Sequence, residues 1–175
     1  MTRSCDECQV CCELPMVAAL KKPMFTRCDH QCAQGCGIYG KRPDPCRAFE
    51  CVWLRGDALL EDEDRPDRMG LMIETCVSTA PGGDTIQYAQ VWETWPGALE
   101  DKESRAAVLS ESLASRWPLK LQPYRAPTRY LSPPHLADVA RELERRTKSA
   151  PRIKAAPNSP CPCGSGEVFV RCHGR

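Results

Sequence analysis

The stretch Cys5-Asp-Glu-Cys-Gln-Val-Cys-Cys12 opens a segment that decides the character of this chain. Nine of its thirteen cysteines fall within the first 51 residues. Closely spaced thiolates are what a soft or borderline metal ion needs for tetrahedral sulfur coordination. Gly, Pro and charged residues lie between the cysteines, and no helical or strand period is sustained. Residues 1–56 are therefore predicted to form a small, loop-rich lobe that metal holds together.

Bulk composition limits the class of protein. The chain has 175 residues, 24 of them basic and 23 acidic, so nucleic acid is not expected as the main partner. The sequence contains no eighteen-residue apolar run and no signal-peptide pattern, which predicts a cytoplasmic protein without a membrane association. A reducing compartment keeps thiols unpaired, and an odd count of thirteen fits disulfide pairing poorly.

The middle of the chain, residues 57–148, predicts a supporting region that gives the protein an α+β fold. Two strand-like runs flank a turn, Ala80-Pro-Gly-Gly-Asp84, and indicate an antiparallel hairpin. Cys76 lies in the first run and is expected to be a buried apolar cysteine without a ligand role. The predicted elements are strands Gly70–Val77 and Thr85–Glu93, a helix over Ser104–Trp117, an extended stretch over Pro118–Ser132 and a second helix that ends near Lys148.

Side-chain patterns refine these elements. The first helix places apolar residues near helical spacing, and the second begins at Ser132-Pro-Pro-His135, which offers an N-cap with proline at the first helical position. In the cysteine-rich lobe, aromatic residues are expected to form a small core under the metal loops, and basic residues are expected to screen thiolate charge. The helix positions are Ala107, Val108, Leu113 and Trp117, the aromatic residues are Tyr39, Phe49 and Trp53, and the basic residues are Arg27, Lys41, Arg42 and Arg47.

The C-terminal end predicts a flexible tether over residues 149–159 and a short zinc-binding tail over residues 160–175. The tail supplies three thiolates and one imidazole, a complete tetrahedral zinc set, from Cys161, Cys163, Cys172 and His173. Its Cys-Pro-Cys-Gly-Ser-Gly run followed by a Cys-His pair resembles the SEC-C motif. That resemblance implies structural zinc and a surface that docks a protein or ribosomal partner.

The N-terminal cysteines resemble a second family. The opening CxxCxxCC, and the later block from Cys36-Gly-Ile-Tyr39 through Arg42-Pro43 to Cys46-Arg-Ala-Phe-Glu-Cys51, are similar to the YkgJ-like proteins described as zinc- or iron-chelating. The resemblance covers residues 5 to about 55, with residues 65–68 as a candidate extension. It implies metal ligation by Cys5, Cys8, Cys11, Cys12, Cys28, Cys36, Cys46 and Cys51. Cys32 and His30 lie outside the pattern, as spare or substitute ligands, and a surface histidine is an equal alternative for His30.

The identity of the N-terminal metal stays open between zinc and iron, including an iron–sulfur cluster. A bacterial ferredoxin run places a fourth cysteine three residues after the third, and that position here holds Pro15. A distant cysteine could still complete such a cluster. Zinc suits pairs of short cysteine loops brought together from separate segments.

Three functional hypotheses follow from these patterns. The sequence contains no GxSxG, HExxH, phosphate-loop or dinucleotide fingerprint, so a non-enzymatic metalloprotein that recruits a partner through its tail comes first. An iron–sulfur redox enzyme or sensor is the second hypothesis. A metal chaperone or thiol sensor is the third, because the adjacent pair Cys11–Cys12 could serve two centres or leave one thiol exposed and reactive.

Overall fold

The computed structural model of the protein describes residues 3–5 and 8–149, which form the predicted α+β fold. The predicted tether and zinc tail, including Cys161, Cys163, Cys172 and His173, lie outside these residues. In chain order the helices are α1 (Val10–Glu13), α2 (Asp44–Ala48), α3 (Pro66–Met69), α4 (Arg105–Ala114) and α5 (Ala137–Ser149). The strands are β1 (Gln31–Cys32), β2 (Gly35–Cys36), β3 (Leu71–Thr79), β4 (Thr85–Glu93), β5 (Leu119–Gln122) and β6 (Arg129–Leu131). None of the helices in the described ranges has the length and apolar character that crossing a membrane requires.

The larger sheet has the strand order β3-β4-β5-β6. The predicted hairpin is confirmed, since β3 and β4 pair antiparallel from Leu71↔Glu93 to Thr79↔Thr85 and the turn closes with Ala80 N–H donating to the Asp84 carbonyl at 2.8 Å. The predicted extended stretch divides into β5, which pairs parallel with β4, and β6, which pairs antiparallel with β5. Helix α4 makes the crossover that the parallel pairing needs.

Helix α4 begins where the sequence predicts and ends earlier. The Ser104 hydroxyl accepts a hydrogen bond from the Ala107 N–H at 3.1 Å, which satisfies one of the amide groups left open at a helix start. The helix ends at Ala114, three residues before the predicted end. Of the four apolar positions near helical spacing, Ala107 and Leu113 are buried. Val108 is 49% exposed, and Trp117, beyond the end of the helix, is 45% exposed, so these two do not belong to its buried face.

Helix α5 begins later than predicted. A short 3₁₀ turn over Pro134–Leu136 precedes it, Pro133 occupies the cap position, and no side chain caps the turn. Ser132 is therefore not the N-cap, because two successive prolines move the first helical residue one position along the chain. Ala140 and Leu143 are buried as the apolar spacing predicts.

The core is continuous between the cysteine-rich lobe and the sheet. Phe25 from the lobe meets the ring of Trp92 on β4 edge to face, with centroids 6.2 Å apart. Trp53 is also buried in this core and Phe49 packs against it. Tyr39 is 66% exposed, so its predicted place in a core beneath the metal loops is wrong. Its ring instead stacks with the guanidinium of Arg42, whose central carbon lies 3.7 Å from the ring centroid.

Gly70 joins α3 to β3 in a conformation that only glycine adopts easily, with φ of +97°. A Cβ atom there would lie 2.8 Å from the Ala98 Cβ and 3.1 Å from the Trp95 ring. We expect Gly70→Ala to destabilise the protein by about 3 kcal/mol, because backbone strain and overpacking add. The midpoint of thermal unfolding followed by circular dichroism measures the change.

Gly56→Ala is the matched control for that substitution. Gly56 also has a positive φ, +73°, and its Cβ would meet no atom within 4 Å. It should therefore lose only the strain contribution, about 1 kcal/mol. Equal midpoints for the two variants would show that the close approach to Ala98 carries no cost.

Candidate metal centre

The first cysteines are positioned by a short helix and by buried neighbours. The Cys8 N–H donates to the Cys5 carbonyl at 2.6 Å, and α1 then places Cys11 and Cys12 on successive helical positions. Successive side chains leave an α-helix about 100° apart, yet these two thiols remain within hydrogen-bond distance of each other. Leu14, 1% exposed, fixes the end of the helix in the core.

A small hairpin and a short helix position the later cysteines. Strands β1 and β2 pair Gln31 with Cys36 and Cys32 with Gly35. Directly paired residues share a face of the hairpin, so Cys36 and Cys32 project on opposite faces. Cys28 precedes the hairpin and accepts a backbone hydrogen bond from Gln31 at 3.0 Å, and Cys46 lies in α2.

One neighbourhood of cysteines gathers at the start of the chain. Negative charge on Cys5 raises the pKa of the Cys8 thiol, and negative charge on Cys5 and Cys8 raises the pKa of the Cys11 thiol. Burial raises the pKa of the Cys8 thiol to about 11, although the N–H groups of Val10 and Asp67 donate hydrogen bonds to its sulfur. Such N–H···S contacts orient and stabilise a thiolate ligand.

Cys51 lies in an environment of the same kind as that of Cys8. Burial raises the pKa of its thiol, and the N–H groups of Leu54 and Trp53 donate to the sulfur. Arg3 attaches the start of the chain to the same loop, since its Nη1 donates to the Trp53 carbonyl at 2.9 Å and its guanidinium lies over the Trp53 ring. Cys5 and Cys51 are each two residues from this contact.

A second neighbourhood surrounds Cys46. Burial raises the pKa of the Cys46 thiol, and negative charge on Cys12, Cys28 and Cys36 raises it further, whereas Arg42 lowers it. Arg42 is thus placed to screen thiolate charge, as the sequence predicts. Of the other predicted screening residues, Arg47 pairs with Asp44 within α2 and Arg27 donates to the Gln31 carbonyl at 3.4 Å.

The adjacent residues Cys11 and Cys12 connect the two neighbourhoods. The Cys11 thiol donates a hydrogen bond to the Cys12 sulfur, which raises the pKa of Cys11 and lowers that of Cys12. Burial opposes the lowering of the Cys12 pKa, and the positive charges of Lys22 and Arg42 add to it. Negative charge on the other early thiols therefore acts on Cys11, whereas negative charge on Cys12 acts on Cys46 as well as on Cys11.

Lys22 is a charged group of this site that sequence reasoning missed. It is 6% exposed, and its ammonium donates to the carbonyls of Glu13 at 2.7 Å, Pro15 at 2.6 Å and Pro23 at 3.1 Å. Burial lowers the pKa of Lys22, and negative charge on Cys28, Cys12, Glu13 and Cys46 opposes that shift. Lys22 thus holds the loop between Glu13 and Pro23 closed and brings positive charge to the second neighbourhood.

Asp67 is the other residue that sequence reasoning did not assign. Its N–H contacts the Cys8 sulfur, and Arg65 binds its carboxylate with two hydrogen bonds of 2.7 and 2.8 Å. The signal was present in the sequence, because residues 65–68 were the candidate extension of the second resemblance. Asp67 is not a predicted ligand, but its backbone N–H can stabilise the thiolate form of Cys8.

The cysteines in the described ranges are neighbours without forming a closed ligand cage. Within residues 3–5 and 8–149, no three His, Cys, Asp or Glu side chains adopt an arrangement that would itself hold a metal ion. No disulfide joins the cysteines of those ranges. His30 is exposed, and the Cys32 carbonyl accepts a hydrogen bond from Gln9 at 3.0 Å. The donor set, thiolates with N–H···S contacts at Cys8 and Cys51, fits a thiolate-bound metal.

Comparison with known proteins identifies the C-terminal end. Residues 158–175 match the SEC-C motif. A segment of 39 residues is 51% identical to the protein translocase subunit SecA of Methylibium petroleiphilum, and a segment of 37 residues is 54% identical to that of Rubrobacter xylanophilus. These segments cover 22% and 19% of this chain, and the chain spans about 4% of the length of each relative. No solved structure matches the chain significantly.

Proposed function

We propose that this protein is a non-enzymatic metal-binding protein with two thiolate-ligated centres in its N-terminal lobe and one zinc site in its SEC-C tail. The observation that carries the proposal is that negative charge on Cys5 and Cys8 acts on Cys11, whereas negative charge on Cys12, Cys28 and Cys36 acts on Cys46. From this we infer two sets of four cysteines, with Cys51 assigned to the first. The division uses every cysteine of the predicted N-terminal ligand set. The resemblance to YkgJ-like chelating proteins supports the same set.

The first centre would be held by the early cysteines and one distant cysteine. Charge contacts link the early thiols to one another, and the Arg3 contact to Trp53 brings the start of the chain to the loop that follows Cys51. Cys51 has the same kind of N–H···S contacts as Cys8. The proposed ligands are Cys5, Cys8, Cys11 and Cys51.

The second centre would be held by cysteines from three separate segments, Cys12, Cys28, Cys36 and Cys46. A four-thiolate zinc site carries about two net negative charges by simple counting of ligand charges. Lys22 and Arg42 supply compensating positive charge on this side of the lobe. Bound metal would cross-link loops that have little regular secondary structure of their own.

The tail would carry the interaction role. Its proposed ligands are Cys161, Cys163, Cys172 and His173, three thiolates and one imidazole. Residues 158–175 match the SEC-C motif, and part of the chain is similar to SecA proteins. This similarity supports docking of the tail to a protein partner. A ribosome is the more specific candidate for that partner. The thiol-rich composition supports location in a reducing compartment such as the cytoplasm.

Metal analysis of the full chain tests this function. After anaerobic purification we expect about three zinc ions per chain and no acid-labile sulfide. The double substitution Cys161→Ser/Cys163→Ser should lower the count by about one zinc and leave the lobe loaded. About four iron atoms with matching sulfide would replace the proposal with the redox hypothesis, and a full chain that retains no metal would refute it outright.

A further inference from the structure

One buried oxygen atom in the cysteine-rich lobe has no hydrogen-bond partner. The atom is Oε1 of Gln31, and within residues 3–5 and 8–149 it is the only buried side-chain nitrogen or oxygen in that condition. A buried amide oxygen without a donor is costly, because the group has given up its hydrogen bonds with water and gained none in return. A native structure retains such an atom where something else requires it, for example a nearby ion or a functional role.

The small hairpin places Gln31 between two proposed ligands of the second centre. The Gln31 N–H donates to the Cys28 carbonyl at 3.0 Å, and Gln31 pairs directly with Cys36 across β1 and β2. The Gly37 N–H donates to the His30 carbonyl at 2.8 Å, so the next pair, Gln31 with Cys36, is the kind that lacks backbone hydrogen bonds between its members. Side chains of such a pair share a face and lie close together. The Gln31 side chain therefore leaves the hairpin on the face of Cys36.

The two neighbourhoods of cysteines differ in the contacts that their sulfurs make. Backbone N–H groups donate to the sulfurs of Cys8 and Cys51. The sulfur of Cys46 lies instead near other thiols that can carry negative charge, those of Cys12 and Cys28 among them. Thiolate ligands gathered in this way are stabilised by a nearby N–H donor. An amide oxygen only accepts hydrogen bonds, whereas the nitrogen of the same amide donates two.

We infer that metal binding turns the terminal amide of Gln31 over, so that Nε2 donates an N–H···S hydrogen bond to the thiolate of Cys36. Rotation about the last side-chain torsion exchanges Oε1 and Nε2 and follows a broad, roughly two-fold energy profile, so the hairpin itself need not move. Gln31 is then a positioning residue of the second centre and not one of its ligands. This role rests on the proposed function, and it is the same for zinc and iron because both metals are bound by thiolates.

Chelator competition on the full chain tests this role. Gln31→Glu keeps the size of the side chain, removes the N–H donor and adds a negative charge. One of the bound zinc ions should then bind about 100-fold more weakly than in the wild type, since loss of a partner that orients a ligand typically costs about 10–100-fold in metal affinity. Gln31→Leu removes the donor without adding charge and should weaken the same ion about tenfold.

Gln34→Glu is the matched control for charge. Gln34 is exposed in the turn of the same hairpin, and its substitution changes the net charge by the same amount. Its zinc affinities should equal those of the wild type. A loaded wild type with equal affinities in the Gln31→Glu and Gln34→Glu variants would overturn the role of Gln31 and leave the proposed function standing. A wild-type chain that retains no metal would instead refute the proposed function itself.

Nuclear magnetic resonance of the full chain loaded with a magnetic cadmium isotope detects the hydrogen bond without any substitution. A side-chain N–H proton of Gln31 should show scalar coupling to the metal nucleus through the Cys36 sulfur. The backbone N–H of Val10, which donates to the Cys8 sulfur, is the positive control within the same chain. The exposed side chain of Gln34 is the negative control. Coupling at Val10 without coupling at Gln31 would contradict the turned amide.

Discussion

Cys11→Ser and Cys12→Ser are each expected to remove one metal ion, and the ion should come from a different centre in each variant. The full chain should fall from about three zinc ions to about two in either single variant, and to about one in the double variant. Metal analysis of the purified proteins gives the count. The effect is large because each loss removes a cross-link between loops that the remaining core cannot replace.

The physical reason is that the two neighbouring thiols of α1 interact with different cysteines besides each other. The Cys11 sulfur is affected by the charge of Cys5 and Cys8, whereas the Cys12 charge bears on Cys46. The two thiols are within hydrogen-bond distance of each other, and the proposal assigns each to a different group of cysteines. A single four-metal cluster that recruits both cysteines predicts a different outcome, namely loss of all metal from the lobe with either substitution.

Cys32→Ser and Cys76→Ser serve as matched controls. Cys32 projects from the hairpin on the face opposite Cys36, and Cys76 lies in β3, where its thiol shares a hydrogen bond with Tyr88. Both variants should keep the full metal count. A loss of metal from Cys32→Ser would show that the hairpin offers the other face to the centre, and the division into two sets of four would then be wrong.

The sequence predicts which cysteines bind metal but not the grouping that we propose. Spacing along the chain reveals residue types that can bind a metal, whereas grouping depends on contacts made by residues that have no ligand character. Arg3 brings the chain start to Trp53, and the Asp67 N–H reaches Cys8 from a separate segment. No periodicity or turn pattern in the sequence indicates either contact.

The fold shows the same contrast between features set by local sequence and features set by distant contacts. The β3–β4 hairpin was predictable because one turn and two alternating strands set its register locally. The parallel pairing of β5 with β4 was not, because it depends on how α4 packs across the sheet. Tyr39 looked like a core aromatic by composition, yet it is exposed and stacks with Arg42. Local patterns therefore predicted elements, and tertiary contacts decided their neighbours.

Lys22→Met is expected to destabilise the lobe by about 3 kcal/mol. The ammonium donates to three backbone carbonyls, and a methionine of similar length would leave them without that donor. A lysine charge is costly to bury, and here hydrogen bonds and nearby thiolate charge offset the cost. The loop from Glu13 to Pro23 should then open more often.

Hydrogen exchange of the metal-loaded full chain measures that opening directly. The Phe25 N–H donates to the Leu14 carbonyl at 3.0 Å, and Val17 and Lys22 exchange two backbone hydrogen bonds, so these amides report on the closed loop. Lys21→Met is the matched control, since Lys21 is exposed and its loss should change stability by no more than about 0.5 kcal/mol. If both methionine variants exchange alike, the three carbonyl contacts contribute nothing to the lobe. If only Lys22→Met exchanges faster, a lysine with no ligand role holds the loop on which Cys12 and Cys28 depend.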